Sequence, residues 1–417
     1  FILQGTLVAP PGRASLRITA SGSLTLANTN RKFDPTLLTT DSGAICGNLI
    51  QLVHDAFPAA GGTIDGERFV GTQSIGYLTL EKPVDVRLGP AFYNVSSTIR
   101  FGHWNWRFGG SHMDIGQTAT HFSWAGSCDT AMFWLDNPGN QALWERFSVG
   151  ATALAPLWRG FHLTRASSSA VTPTGRTFRD ILMTGTAKGI VYGFHWSKDG
   201  TGGDANNDVD LLERVTVLNY GMNAFTLQYV GTGTTCQVAV TKNKVLTTSV
   251  AGAAADQFSI NLGTSLTTLS SLTAYLNGLV PYVCTVQSQI PVGSMLSADV
   301  AAVGSTAVTS AGYTLSIATA GFLFDGTQSV LHTLRNCVAD GNQVAGTCGV
   351  RVKTGNFSWY AGNANANEVD FELESPGIYP IVIENKGENS TRLLRAQGPT
   401  GTLVPVTLRN CYWGSNR

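Results

Sequence analysis

Charged residues are scarce in this chain. Only 13% of its 417 residues are Asp, Glu, Lys or Arg, and the 27 basic and 27 acidic residues cancel; globular domains usually carry about 25%. No long run of Lys or Arg occurs, so the electrostatic footprint of a nucleic-acid-binding protein is missing. No apolar run reaches the ~18 residues that a membrane-spanning helix needs. The sequence therefore predicts neither a nucleic-acid partner nor a membrane span.

Signatures of several enzyme and metal-site classes are also missing. The seven cysteines are odd in number and lack CxxC spacing, which argues against a disulfide framework and a zinc site. We expect mostly free, buried thiols, with Cys236 and Cys284 as the pair to be bridged if any were. No GxSxG, P-loop or HExxH motif occurs. The chain begins without Met or a signal peptide, and we expect a fragment or a processed product of something longer.

What the chain does contain is apolar residues (43%), 47 glycines and a period-two pattern. Residues 62–232 and 321–417 contain short alternating segments such as GTIDG, PVDVRLG and AFYNV, separated by Gly, Pro or Asn, which predicts strands. Before them, residues 45–57 carry apolar side chains at helical spacing, which predicts an amphipathic helix of about four turns ending at Pro58. Residues 1–40 are interpreted as a lead-in or a small β element.

Residues 233–320 differ in kind from their surroundings. They are rich in Thr, Ala and Ser and contain no Trp. CQVAVTKNKVLTTSVAG is typical of a hairpin, LTTLSSLTAYLNGL has helical spacing, and PYVCTVQ resembles a strand. We predict a small α+β domain inserted between two parts of one all-β domain.

The peptide TLRNC occurs at residues 333–337 and again at 407–411, 74 residues later. Parallel strands that stack turn upon turn, with ~20–25 residues in each turn, would place these copies about three turns apart. Asn tolerates the left-handed backbone of a tight corner, and stacked Asn side chains can form amide ladders. We predict corners at Asn219, Asn336 and Asn410, and slim aliphatic side chains rather than indoles in the interior.

The predicted helix, the AAGGTIDG that follows it and KPVDVRLGPAFYNVSSTIRF together resemble the start of the pectate-lyase-like right-handed parallel β-helix superfamily. More narrowly, the chain is similar to bacteriophage tailspikes and tail fibres of that fold. The resemblance covers about residues 41–232 and 321–417. It implies a homotrimer on the virion tail, partnered by other tail or baseplate proteins, that binds and often cleaves a bacterial surface polysaccharide.

Cleavage of a glycan would need a pair of carboxylates, or a base with a cation beside it. The most acidic polar stretch, HWSKDGTGGDANNDVDLLERV, supplies the candidate catalytic residues Asp199, Asp204, Asp208, Asp210 and Glu213. The competing interpretation is structural: Asp and Asn shape turns, and Asp210 and Glu213 would form the solvent edge of the next strand. A Ca²⁺ ion is the one cofactor that this loop would suit, although its spacing is not that of an EF-hand.

Aromatic and basic residues are the candidates for substrate binding. Trp104 and Trp106 lie two apart in GHWNWRFGG, and His195 and Trp196 adjoin the acidic loop; indoles stack well on sugar rings and anchor interfaces. The competing interpretation is that several tryptophans cover the end of the stack or the seam of a trimer. Arg351 and Lys353 form a segment similar to the GxRIK of polygalacturonases, but the NTD, DD and GHG motifs of those enzymes are missing. The two cations remain candidates for contact with an acidic glycan.

Three functions stay open at this stage. The first is a phage adhesin that binds a surface polysaccharide, with or without degrading it. The second is a secreted, monomeric polysaccharide lyase or glycoside hydrolase, and the third is a structural fibre without enzymatic activity. Of the three we favour the adhesin.

Overall fold

The computed structural model describes residues 2–3, 16–18, 25–26, 32–40, 45–102, 107–114, 119–135, 142–164, 175–186, 188–197, 206–287, 290–291, 293, 295–326, 328–342, 345–374, 379–396 and 405–414. This part of the chain is mostly β, with long parallel sheets and two α-helices, which confirms the predicted all-β character. Neither of these helices is long and apolar enough to cross a bilayer.

Among the described residues before 219 the strands are β1 (Ile2–Leu3), β2 (Leu16–Ile18), β3 (Thr25–Leu26), β4 (Lys32–Phe33), β5 (Leu38–Thr40), β6 (Gly62–Gly66), β7 (Gly71–Ile75), β8 (Leu78–Leu80), β9 (Val84–Leu88), β10 (Ala91–Val95), β11 (Ile99–Phe101), β12 (Arg107–Gly109), β13 (His121–Trp124), β14 (Ala131–Leu135), β15 (Leu143–Thr152), β16 (Leu157–Leu163), β17 (Thr177–Thr186), β18 (Ile190–Ser197), β19 (Asn206–Asp208) and β20 (Leu211–Leu218). Helix α1 (Cys46–Ala56) and a 3-10 helix (Pro35–Leu37) lie among them.

The next elements are β21 (Asn223–Tyr229), β22 (Thr235–Val240), β23 (Val245–Ala251), β24 (Ser259–Asn261), α2 (Leu269–Gly278), β25 (Tyr282–Val286), β26 (Val303–Ala307) and β27 (Tyr313–Ser316), with 3-10 helices at Ala254–Asp256 and Ser297–Asp299. The last are β28 (Thr319–Asp325), β29 (Gln328–Val330), β30 (His332–Arg335), β31 (Val338–Asp340), β32 (Thr347–Thr354), β33 (Phe357–Asn365), β34 (Val369–Leu373), β35 (Ile381–Glu388), β36 (Arg392–Ala396), β37 (Val406–Leu408) and β38 (Tyr412–Gly414).

Two parallel sheets contain most of these strands. The nine-stranded sheet has the order β36-β34-β32-β28-β18-β16-β14-β11-β8, and the main path of the sixteen-stranded sheet is β37-β35-β33-β30-β20-β17-β15-β12-β9-β6-β4. The chain passes from one sheet to the other and back, adding a parallel strand to each as it goes. The two TLRNC copies lie in β30 and β37, three pairing steps apart through β33 and β35, as the repeat spacing predicts.

The three predicted corner asparagines do adopt left-handed backbone angles: φ is 55° at Asn219, 52° at Asn336 and 51° at Asn410. They do not form one amide ladder, however. Asn336 follows Arg335, which is paired with Glu213 in β20, whereas Asn219 lies beyond the far end of β20. The chain turns at more than one corner in each circuit, so Asn219 and Asn336 lie on different corners.

The shared interior of the two sheets combines aliphatic side chains with columns of aromatic rings, so the prediction that indoles would be kept out of it was wrong. Phenyl rings of successive strands stack at 4.8 Å (Phe133–Phe161), 4.7 Å (Phe161–Phe194) and 5.7 Å (Phe194–Phe322) between centroids. Parallel pairing in register repeats the same position at each strand, so flat rings can stack as a column. Trp144, Trp196 and Trp359 are fully buried in the same interior.

Helix α1 packs against the first strands of this interior. It is about three turns long, shorter than predicted, and its buried Leu49, Ile50 and Val53 join the same apolar core. The side chain of His54 accepts hydrogen bonds from the backbone amides of Glu81 (2.9 Å) and Lys82 (3.0 Å). The helix is thereby tied to the turn that leads into β9.

Residues 223–316, called here the antiparallel module, pair differently. Strands β25-β21-β27 form one antiparallel sheet and β24-β23-β22-β26 another, with β22 and β23 as the predicted hairpin. Their core is continuous with Tyr192, Leu323 and Val369 on the outer face of the nine-stranded sheet. The module therefore packs sideways onto that sheet, and the predicted domain boundaries at 232 and 320 stay a prediction.

All seven cysteines are free, and six of them are buried. The prediction of free, buried thiols is confirmed. Cys236 and Cys284, the pair considered for a bridge, both contribute to the core of the antiparallel module.

Candidate functional site

One row of side chains crosses the outer face of the nine-stranded sheet in register. It is called here the outer row and consists of Trp134, His162, His195, Leu323, Arg351, Glu372 and Arg395. Parallel neighbours lie ~4.8 Å apart, so the row is a continuous strip. Trp134 begins the strip as a partly exposed indole stacked on His162, with the two ring centroids 5.9 Å apart.

His195 lies at the centre of a polar group on this strip. Its Nδ1 accepts a hydrogen bond from Arg159 Nε (2.8 Å), and its Nε2 lies 3.7 Å from Asp325 Oδ2, beyond hydrogen-bond distance. Lys353 Nζ is 3.2 Å from the same carboxylate oxygen. Burial lowers the pKa of His195 to about 4, against the opposing effect of Asp325. His195 is therefore neutral at pH 7, and the Arg159 contact leaves its proton on Nε2, facing Asp325.

His195 and Lys353 also determine the charge state of Asp325. Burial by itself would raise the pKa of the Asp325 carboxyl group, but His195 and the Lys353 ammonium outweigh burial, and the net effect is a lowered pKa. About one third of the Asp325 side chain is exposed. The carboxylate is thus charged at neutral pH and open to solvent on one side.

Arg351, two residues before Lys353, organises a second group. Its Nε is 2.6 Å from Glu374 Oε1 and 3.5 Å from Glu372 Oε2, so two carboxylates share one guanidinium. Arg395 Nη2 is 2.7 Å from Glu372 Oε1, and Arg395 Nη1 is 3.6 Å from Glu368 Oε1. Burial would lower the pKa of Arg351, but Glu374 and Glu372 reverse this and raise it. The guanidinium is permanently charged.

A cavity of about 320 Å³ opens beside Arg351. One wall is the outer face of β28, β32 and β34, and the other is the antiparallel module, which contributes Lys242 and Lys244. Four cations and three carboxylates line it. Arg351 is 6% exposed, yet its Nη1 has no hydrogen-bond partner among the described residues. The cavity is therefore a charged cleft with an unused buried donor.

A second cavity, of about 430 Å³, lies on the sixteen-stranded sheet beside three arginines. Arg87 lies 2.7 Å from Asp85, whereas Arg107 and Arg146 share one carboxylate, at 2.6 Å and 3.1 Å from Glu145. This cavity is a weaker candidate than the cleft beside Arg351, because Arg107 supplies its one buried polar atom without a partner among the described residues, whereas three such atoms line that cleft.

The structure describes only some of the candidate catalytic residues of the acidic loop. Asp199 and Asp204 lie outside the described residues, and Asp208 is placed only as backbone in β19. Glu213 points outward from the sixteen-stranded sheet, with its Oε1 3.1 Å from Arg214 Nη1. Catalytic roles for Asp199, Asp204 and Asp208, and a calcium ion in that loop, stay predictions.

Asp210 corrects both interpretations made from the sequence. It is 1% exposed, so it lies neither at a solvent edge nor where a polysaccharide could reach it. Its carboxylate receives hydrogen bonds from Arg176 Nε (2.9 Å), Arg176 Nη2 (2.6 Å) and Trp196 Nε1 (2.8 Å). This arrangement is a buried structural ion pair.

Of the predicted substrate-binding residues, two tryptophans are not described by the structure and a third is buried. Trp104 and Trp106 lie outside the described residues. Trp196 cannot be the predicted sugar platform, because its indole is fully buried and stacks on Phe324 with 4.5 Å between centroids.

Three other predicted residues, His195, Arg351 and Lys353, do come together on the outer face of one sheet. Sequence reasoning missed their acidic neighbours, including Asp325, Glu372 and Glu374. The available signal was VDFELE, whose alternating acids would share one face of a strand.

Comparisons of the chain with family models, curated proteins and solved structures found no match. Function is therefore inferred from the geometry of this cleft and from the resemblance to tailspikes.

Proposed function

We propose that the chain is a bacteriophage tail protein, of the tailspike or tail-fibre kind, that binds a bacterial surface polysaccharide during host attachment. The observation that carries the proposal is the cleft beside Arg351: a charged cavity, with an unused buried donor, on the side of a long parallel stack of strands. A long polymer that lies along such a side surface can contact the cleft and the partly exposed members of the outer row, which are Trp134, His162 and Arg395. Trp134, at one end of the row, is partly exposed, and its ring lies between the Arg100 guanidinium (5.1 Å from the ring centroid) and His162.

The proposed fold is the right-handed parallel β-helix, and the proposed assembly is a homotrimer on the virion tail. Alternation of the chain between two parallel sheets supports the β-helix. The trimer rests on the resemblance to tailspikes. Light scattering on the purified chain would test it: three times the chain mass is expected, whereas a monomer would favour a secreted enzyme.

Binding is tested with capsule and lipopolysaccharide purified from candidate hosts, immobilised and titrated with the protein. Arg351→Gln should weaken binding about tenfold or more, because it removes a buried, charged donor. Lys386→Gln, which changes an exposed lysine on β35, is the matched control and should bind like the original. Absence of binding to every host glycan, together with normal folding, would favour the structural-fibre alternative.

Degradation of the glycan is the second candidate, favoured by one observation. Glu372 and Glu374 share the Arg351 guanidinium, and Asp325 lies beside the proton-bearing Nε2 of His195; paired carboxylates, or a base near a cation, are what glycan cleavage requires. Release of reducing ends or unsaturated products from a bound polysaccharide would establish it. The products should then disappear in Glu374→Gln or Asp325→Asn while binding persists.

The predicted loop residues give a contrasting result in the same assay. If the catalytic carboxylates are instead in the acidic loop, Asp204→Asn or Asp208→Asn should abolish the products, and Glu374→Gln should not. The two sets of variants therefore locate the reaction on one part of the surface or the other.

A further inference from the structure

Several buried polar side-chain atoms of the described residues lack hydrogen-bond partners, and three of them line the cleft beside Arg351. Within the described part of the chain, Arg351 Nη1, Arg395 Nε and Thr319 Oγ1 all lack hydrogen-bond partners, and all three residues line this cavity. A buried polar atom without a partner costs about 1–3 kcal/mol. Two of the three are obligate donors, and the threonine hydroxyl can also donate. A ligand that fills this cavity therefore needs to supply acceptors.

The charges of the lining specify the ligand further. Lys242, Lys244, Arg351 and Arg395 give four positive charges, and Glu368, Glu372 and Glu374 give three negative ones, which leaves one positive charge unmatched. The three carboxylates are already engaged: Glu372 and Glu374 with Arg351, and Glu368 with Arg395 and the backbone amide of Gly346 (2.7 Å). The lining of the cavity thus lacks one negative charge, while Asp299, which also acts on Lys244, lies outside that lining.

The size of the cavity limits what can carry that charge. About 320 Å³ is near the lower limit of small-molecule sites, which suits a single sugar residue better than several. It also exceeds what a lone inorganic ion would fill. A single-charged carboxylate on a ring of hydroxyl groups supplies both the missing charge and the missing acceptors.

We propose that the cleft between the antiparallel module and the nine-stranded sheet binds one carboxylated sugar residue, with Arg351 and Lys244 as its specificity-determining cations. This inference rests on the proposed function, because it names the sugar class that the glycan-binding surface selects. It assigns a role to the antiparallel module, which supplies one wall of the site.

Lys244 is placed for this role by the hairpin turn of the module. It lies just before β23 with a left-handed backbone (φ 61°), and its Nζ donates to the carbonyl oxygen of Val300 (3.1 Å). That bond uses one of the three ammonium donors, which leaves two for a ligand. The turn thus holds the charged tip at the cavity wall.

The charges near Lys244 predict how ligand binding depends on pH. The groups that act on it are Arg351, Asp299, Glu374 and Glu372, and burial together with Arg351 lowers the pKa of Lys244 to about 8. Binding of an acidic sugar should therefore weaken as the pH rises through about 8 and Lys244 loses its proton. Lys244→Arg should retain binding at pH 9, since a guanidinium stays charged.

The experiment is an NMR titration of the full chain with D-galacturonate, D-glucuronate and N-acetylneuraminate, and with galactose, glucose, acetate and inorganic phosphate for comparison. At least one sugar acid should bind, and its neutral counterpart should bind about tenfold more weakly or worse. Arg351→Gln and Lys244→Gln should each weaken binding of that acid about tenfold. Lys386→Gln should leave it unchanged.

Several outcomes would overturn the inference: equal binding of acidic and neutral sugars, binding of acetate or phosphate as tight as that of the sugar acid, or no effect of Lys244→Gln. No binding by any sugar acid would also overturn it. The proposed function is judged separately on intact polysaccharide. If the native glycan and its carboxyl-reduced form bind equally well, the glycan-binding function stands and the assignment of a sugar acid fails.

Discussion

The buried pair of Arg176 and Asp210 gives the sharpest test of how the acidic loop should be interpreted. Both side chains are fully inaccessible, and two hydrogen bonds join the guanidinium to the carboxylate. If Asp210 is structural, Asp210→Ala leaves a cation buried without its anion. If it is catalytic, the same substitution removes activity with little change in stability. The two roles therefore predict opposite results.

The structural role predicts a large effect. Removing one partner of a buried ion pair typically costs about 3–5 kcal/mol, and Asp210→Ala also removes the acceptor of Trp196 Nε1 (2.8 Å). The double variant Arg176→Met/Asp210→Leu should recover most of that loss, because replacing a buried ion pair by apolar groups is often nearly neutral. The strong coupling between the two sites is the signature of the pair.

An exposed ion pair on the same stack is the matched control. Arg214 Nε lies 2.6 Å from Asp180 Oδ1, but the two side chains are 46% and 27% exposed. Solvent screens such pairs, and they typically contribute about 0–1 kcal/mol. Asp180→Ala should accordingly change stability by less than about 1 kcal/mol.

Urea unfolding followed by far-UV circular dichroism measures the global effect, and hydrogen exchange at the amides of β20 measures the local one. Exchange is informative because each strand mainly contacts its neighbours, and parts of a stack can open separately. Asp210→Ala within about 1 kcal/mol of the original chain would refute the structural role. Loss of glycan cleavage in that same stable variant would establish the catalytic one.

Three further predictions concern a buried carboxyl group, a close backbone contact and the antiparallel module. Burial raises the pKa of Asp370 to about 7, above the ~3.9 of an Asp in an unfolded chain. The free energy of unfolding should therefore fall as the pH rises from about 4 to about 7, by up to about 4 kcal/mol. Asp370→Asn should remove that loss, which unfolding curves at pH 5 and pH 8 would measure. A Cβ on Gly193 would lie 2.6 Å from the Gly321 carbonyl oxygen, so Gly193→Ala should lower the melting temperature. Gly76 has open space around it, so Gly76→Ala should leave the melting temperature unchanged. Equal effects of the two substitutions would contradict the steric argument. Replacing residues 223–316 by a short Gly/Ser linker should preserve the parallel sheets, because the two ends of the module are adjacent: Ile317 N donates to Met222 O (2.8 Å). A chain that failed to fold after this replacement would show that the parallel sheets depend on the module.

Local patterns predicted the local structure well. Period-two alternation predicted the strands, helical spacing predicted α1 and α2, and the asparagines predicted corners, because each of these signals depends on a few neighbouring residues. The hairpin of β22 and β23 follows from the same kind of signal. The sequence did not predict the aromatic columns of the interior. Parallel register stacks flat rings such as Phe161 and Phe194, but no local pattern shows which residues of distant segments will occupy the same position in neighbouring strands.

The site is the part that the sequence predicted least well, and the reason is separation along the chain. Asp210 meets Arg176, 34 residues before it, and His332, 122 residues after it. Which strand of a parallel stack lies next to which depends on the length of every intervening segment, including the antiparallel module between β20 and β28. Arg351 and Lys353 were recognisable as outward cations, but their acidic partners lie on other strands.

The cleft beside Arg351 lies between a parallel sheet, in which hydrogen bonds fix the position of each residue, and a hairpin turn of the antiparallel module. The parallel stack fixes Arg351 and Glu372 at one register position, with each strand held on both sides, so their spacing cannot change without breaking the sheet. The antiparallel module places Lys244 on a turn, which can change in sequence without disturbing that sheet. A rigid wall that holds Arg351 and Glu372, opposite a turn that carries Lys244, would allow the proposed sugar site to change its selectivity through the turn alone.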